Sequence, residues 1–112
     1  MAEDCIFCKI ANGEIPSSKI YEDDKMVAFK DLAPAAPVHV LLVPKQHAKD
    51  ITEAAPEVVA HMMSKVKEIA ASLGVAESGF RLVINTGDDG GQTVKHLHIH
   101  LIGGKALGWP PC

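Results

Sequence analysis

The seven residues His96-Leu97-His98-Ile99-His100-Leu101-Ile102 alternate between imidazole and aliphatic side chains up to the closing Leu-Ile pair. Alternation with a period of two is the mark of an extended strand that buries one face. Leu97, Ile99 and Leu101 then point into a core, and His96, His98 and His100 stand in one row on the opposite side. At about 3.3 Å of rise per residue, the imidazoles are spaced ~7 Å apart. Such a row can bind a metal, present a nucleophilic imidazole or surround an anion with donors. A solvated face carrying three histidines by accident leaves the repetition unexplained.

Four other segments read as strands from their β-branched or alternating residues: 20–21, 26–30, 38–43 and 80–86, with the histidine segment spanning 95–102. The clearest helix lies between the third and fourth. Pro56 suits a first helical turn, and Val59, Met62, Met63, Val66, Ile69, Ala70 and Leu73 follow at the spacing of a buried stripe until Gly74 ends it. A shorter helix is predicted over 5–11, closed by Asn12-Gly13, with Ile15-Pro16 opening an extended stretch. Short connections such as Glu22-Asp23-Asp24 favour antiparallel pairing, and the long helix serves as a crossover. The predicted class is α+β, a five-stranded antiparallel sheet with one long and one short helix, in a single domain over 1–112. An open edge on so small a sheet invites continuation of the sheet in a dimer.

Lysine and arginine number 11 against 14 aspartate and glutamate, a formal charge of −3. That balance offers no bulk attraction for nucleic acid. The longest apolar stretch without a charged residue, 33–44, is interrupted by Pro34 and Pro37 and falls well short of the roughly twenty residues of a membrane span. Met1-Ala2-Glu3-Asp4 carries acids where a secretory leader carries a basic region, so a cytoplasmic location is expected. In a reducing compartment three cysteines are not a disulfide framework. Cys5-x-x-Cys8 has the spacing of both a zinc knuckle and a thiol redox motif, and no strand leads into it as the redox motif requires. For zinc, His47 and one histidine of the row supply suitable further ligands. His61 lies off the apolar stripe and is expected to be solvated.

Upstream of the row lies Asn85-Thr86-Gly87-Asp88-Asp89-Gly90-Gly91-Gln92-Thr93. By itself it reads as a turn. Beside three histidines it reads as an anion cradle, in which glycines let backbone N–H groups approach closely and Gln92 and Thr93 add donors.

The block 96–102 resembles the His-φ-His-φ-His-φ-φ signature of the histidine triad superfamily, φ being an apolar residue. The likeness extends to Cys5-Ile6-Phe7-Cys8-Lys9-Ile10, Glu14-Ile15-Pro16, Tyr21-Glu22-Asp23-Asp24, Ala28-Phe29-Lys30-Asp31, Gly90-Gly91-Gln92-Thr93 and Gly108-Trp109-Pro110-Pro111, all similar to the Hint branch. The resemblance implies a homodimer with a ten-stranded sheet, and hydrolysis of purine nucleoside 5′-phosphoramidates or aminoacyl adenylates to AMP or GMP. It implies that His98 is the nucleophile, forming a nucleotidyl-histidine that water cleaves, with a backbone carbonyl holding its other nitrogen. His39, His96 and His100 complete the catalytic set. Gln92, Thr93 and His100 are then expected on the phosphate, Gly91 in the loop beside it, Asn85 toward the ribose-phosphate and Asp31 on the ribose hydroxyls. Phe7, Ile10, Phe29 and Leu32 line the base pocket, and Trp109 reaches toward the partner subunit's site. Several bacterial relatives bind a structural zinc while many Hint proteins lack one or both cysteines; the resemblance implies such a site here at Cys5, Cys8, His47 and His96, and no cofactor for the chemistry. Cys112 departs from the glycine common at that end and offers an exposed thiol. Two alternatives are a diadenosine polyphosphate hydrolase of the Fhit type and a nucleotide-binding regulatory or scaffold protein.

Overall fold

The computed structural model describes residues 5–111; the acidic N-terminal residues and Cys112 lie outside them. Eight elements follow in order: α1 (Ile6–Ala11), β1 (Lys19–Glu22), β2 (Met26–Lys30), β3 (Val38–Pro44), α2 (Pro56–Ser64), α3 (Val66–Ser72), β4 (Phe80–Val83) and β5 (Ile99–Gly103). The strands form one antiparallel sheet in the order β1-β2-β3-β5-β4. The crossover through α2 and α3 therefore carries the chain past the place that β5 fills last.

Strand alternation divides the core between the two faces of the sheet. Met26, Ala28, Val40, Leu42, Leu97, Ile99 and Leu101 pack against Met62, Ile69 and Ala70 of α2 and α3. Val27, Phe29, Leu41 and Val43 face the other way, onto Phe7, Ile10 and Ala11 of α1. Leu97, Ile99 and Leu101 are each no more than 1% exposed, worth about 1.5–3 kcal/mol apiece by burial. That burial orients the histidines between them toward the α1 face.

Four local expectations are corrected. The long helix is two pieces, because Lys65 sits at φ −100°, ψ −6° and its N–H turns back to the Met62 carbonyl, a tighter turn than an α-helix makes. Met63, expected in the buried stripe, is exposed. The fifth strand begins at Ile99 and not at Lys95, since its ladder with β3 starts at Leu42↔Ile99. Ahead of it, the Leu97 N–H goes to the Ala48 carbonyl, so residues beyond the strand supply the partner that a sheet neighbour otherwise would. His61 is also not merely solvated: its Nε2 lies 2.7 Å from Asp23 Oδ2, tying α2 to the β1–β2 turn.

Candidate active site

Residues 84–98 connect β4 to β5 without regular secondary structure, the kind of long connection that carries function. Its last residues hold the nucleophile candidate. His98 is buried, and its Nδ1 lies 2.8 Å from the carbonyl oxygen of His96. A carbonyl only accepts, so Nδ1 carries the proton and Nε2 keeps the lone pair. Phe7 stands edge-on against this ring at 4.9 Å between centroids and fixes its plane.

Hydrogen-bond partners fix the tautomers of the next pair as well. The Ala35 N–H donates to His39 Nδ1 at 2.9 Å, so neutral His39 carries its proton on Nε2. That nitrogen lies 2.9 Å from His100 Nδ1, which must accept, leaving the His100 proton on Nε2. His98 and His100 thus offer one imidazole with a free lone pair and one with a free donor, 5.1 Å apart between ring centroids. Burial, then the neighbouring His98 and His39, push His100 down to about 4, against the opposing pull of Asp31. It is neutral near pH 7.

These rings open on a cleft of about 310 Å³ lined by Phe7, Ile10, Phe29, Asp31, Leu32, Leu41, Thr93, His98 and His100, an apolar slot with polar groups at one end. Leu32 forms its rim and is fully exposed. Gln92 behaves differently from the expectation. It is buried, its amide N–H groups go to the carbonyls of Lys49 and Val94, and its carbonyl takes the Gly87 N–H. A fully used amide braces the loop and has no donor left for a phosphate. Asn85 likewise donates to the Gly90 carbonyl. Gly91 holds φ +77°, and a Cβ at Gly90 would overlap the Thr86 backbone, so both glycines are required by the path of the loop. Trp109 is 85% exposed at the far end of the chain.

Behind the His98 backbone, Cys5, Cys8, His47 and His96 bring four donor atoms within 4.8 Å of one another. Cys5 caps α1, its sulfur receiving the Cys8 N–H. His96 Nδ1 lies 3.3 Å from Cys5 Sγ, 3.4 Å from Cys8 Sγ and 3.1 Å from His47 Nδ1, while Cys8 Sγ lies 3.2 Å from His47 Nδ1. One ring nitrogen cannot serve three hydrogen-bond partners. A tetrahedral zinc with nitrogen at about 2.0–2.1 Å and sulfur at about 2.3 Å sets its ligands roughly 3.3–3.8 Å apart, close to this spacing. His96 Nε2 donates to the Pro44 carbonyl at 2.9 Å, which turns the Nδ1 lone pair inward. The donor set fits zinc.

The sequence model of the HIT domain matches residues 12–107. The chain belongs to the HIT family. Among HIT relatives, an uncharacterized HIT-like protein of Synechococcus elongatus is 54% identical over 99% of both chains. The purine nucleoside phosphoramidase of Escherichia coli K12 is 42% identical over 96% of this chain and 93% of its own. A HIT family hydrolase from Legionella pneumophila has the same fold, with a TM-score of 0.94 at 43% identity over 97% of this chain and all of that one.

Within this HIT site, sequence reasoning missed Leu41 and Val94 on the cleft wall. Leu41 was within reach: it lies two residues from His39 on β3, and strand alternation puts both on one face. Val94 sits in irregular backbone, where no periodicity signals its direction.

Proposed function

We propose that the chain, folded as a single HIT domain, hydrolyses purine nucleoside 5′-phosphoramidates or aminoacyl and acyl adenylates to AMP or GMP. The observation that carries the reading is the locked His98 tautomer, with Nδ1–H on the His96 carbonyl and Nε2 free. The Escherichia coli phosphoramidase, similar over nearly the whole chain, supports the substrate class. Nε2 attacks the α-phosphorus, the P–N or P–O bond to the leaving group breaks, and a nucleotidyl-His98 forms. Water then cleaves the P–Nε2 bond, releasing the nucleotide and regenerating the imidazole. Two displacements at one centre replace a single harder one.

The His100 Nε2–H donates to the phosphoryl or departing group, and the Thr93 hydroxyl and the loop N–H groups add donors. Phe7, Ile10, Phe29 and Leu32 hold the purine, and the Asp31 carboxylate accepts from the ribose diol. Gln92 and Asn85 act by holding the loop, and Gly91 by shaping it. Cys5, Cys8, His47 and His96 hold a structural zinc, a closed four-ligand site that ties α1 to the segment carrying His98 and activates no water. The chain pairs into a homodimer by sheet continuation, and Trp109 borders the partner's cleft.

Intact-protein mass spectrometry after brief mixing with adenosine 5′-phosphoramidate tests the reading. An AMP-mass adduct on the wild type, absent from His98→Asn, is expected together with AMP in solution. Unchanged turnover in His98→Asn overturns the nucleophile.

A further inference from the structure

The cleft that carries His98 and His100 shares one wall with a second cavity. Ile6, Thr93 and Val94 line both, and beyond them the second cavity offers about 530 Å³ between Cys5, His47, Lys49 and Lys95. Charge distinguishes the two spaces. The cleft is lined by one lysine and one carboxylate, Lys30 and Asp31, whereas the second cavity is lined by two lysines and no carboxylate. Both of its lysines are exposed. Lys95 is held by the loop, its Nζ donating to the Gln92 carbonyl at 3.1 Å and to Asp88 Oδ1 at 3.2 Å. An ammonium has three donors, so one is left over. The Asp88 side chain is 97% exposed, and water screens that pair. Lys49 makes no ion pair among the described residues. The adjacent Asp50 turns its Oδ1 to the Thr52 N–H and hydroxyl.

We propose that the cavity of Lys49 and Lys95 is a leaving-group subsite that takes an anionic substituent, a carboxylate carried on the departing amine. The inference rests on the reading that a nucleotide occupies the cleft with its phosphate at Thr93. Thr93 stands on the shared wall, so a substituent on the phosphorus can pass over it into the second cavity. With about 530 Å³ against about 310 Å³ for the cleft, this space has room for a group of amino-acid size. Two ammonium groups facing one carboxylate attract it from the far side of the wall, away from the reacting phosphorus. They therefore select among substituted substrates and leave hydrolysis of the unsubstituted phosphoramidate as it is. Because both lysines are exposed, the preference is modest and weakens with salt.

Two substrates of matched shape isolate the charge: adenosine 5′-phosphoramidates made with β-alanine and with β-alaninamide. The readout is the ratio of their kcat/KM values, carboxylate over amide, compared between proteins so that the intrinsic difference between the two P–N bonds cancels. Relative to the wild type at low ionic strength, Lys49→Ala is expected to lower this ratio by about threefold and Lys49→Glu by about tenfold, while Lys49→Arg keeps it. Lys95→Gln lowers it as well, and added salt brings the wild type toward Lys49→Ala. A ratio indifferent to Lys49→Glu overturns the subsite, including the case in which both compounds slow by the same factor. Equilibrium binding to His98→Asn supplies a readout without turnover. If AMP binds and Lys49→Glu leaves the relative affinity of the two phosphoramidates unchanged in that background, the subsite falls and the nucleotide reading stands. If neither AMP nor either phosphoramidate binds to wild type or His98→Asn, the nucleotide reading itself falls and the subsite with it.

Discussion

His98 donates its Nδ1–H to the carbonyl oxygen of His96 across 2.8 Å, so a backbone group two residues away decides which nitrogen of the ring can act. His98→Asn removes the nucleophile while keeping a polar side chain in the same space. Turnover of a phosphoramidate is expected to fall by about 10³-fold or more. AMP affinity and the circular dichroism spectrum stay as in the wild type. A variant retaining a tenth of the activity means that another group attacks phosphorus.

The Cys5, Cys8, His47 and His96 cluster predicts one zinc per chain by elemental analysis. Because the sheet and helices have their own core, removing the metal loosens α1 and the 44–48 segment without unfolding the whole. Chelation, or Cys8→Ser, is expected to lower Tm by roughly 10 °C, a loss of a few kcal/mol. Protein purified with added zinc but carrying none, with a Tm indifferent to chelator, sinks the assignment.

The sheet, the class and the division of the histidine segment into two faces were legible because each rests on a period of two or on apolar spacing. The triad's Leu97, Ile99 and Leu101 are buried as alternation required. What was not legible depends on partners distant in sequence. Nothing near Gln92 announces that its amide is used up by Lys49 and Val94 carbonyls, and nothing near His61 announces Asp23. The break at Lys65 falls inside an unbroken apolar stripe, where spacing alone argues for continuity. Cys5-x-x-Cys8 suggested a metal, the resemblance added His47 and His96, and the fold brings donor atoms of all four within 4.8 Å of one another.

The buried Gln92 amide offers a test of loop rigidity. Gln92→Ala strips partners from two carbonyls and from the Gly87 N–H, and is expected to cost about 2–3 kcal/mol in urea unfolding. Gly90→Ala forces a Cβ into the Thr86 backbone and must move the loop. Both variants should lower kcat more than they raise KM, since they displace donors from the phosphoryl group. Wild-type stability in Gln92→Ala means that the loop is braced by something else.

Acid is expected to destabilise the protein in two separable steps. His100 is held down to about 4 by burial first and then by His98 and His39, whereas an unfolded imidazole titrates near 6.5. Between these values the unfolded chain binds a proton that the native one refuses, so stability falls as pH drops from about 6.5 to about 4, by on the order of 2 kcal/mol after solvent screening. Asp23 acts below that. Burial opposes its ionisation, but the Lys25 N–H, His61, the Tyr21 hydroxyl and the Met26 N–H outweigh it and hold the carboxyl well below the usual range. Its contribution is present above the ordinary carboxylate value of about 3.9 and is lost as pH falls beneath it. Urea midpoints measured from pH 3 to pH 8 on metal-free protein separate the two. His100→Asn is expected to reduce the upper step, to which His96, also held down by burial, contributes, and to leave the lower one; Asp23→Asn is expected to lower stability near neutrality while reducing the lower step, which Glu22 and Asp50 share. An upper step of unchanged size in His100→Asn removes that histidine from this account.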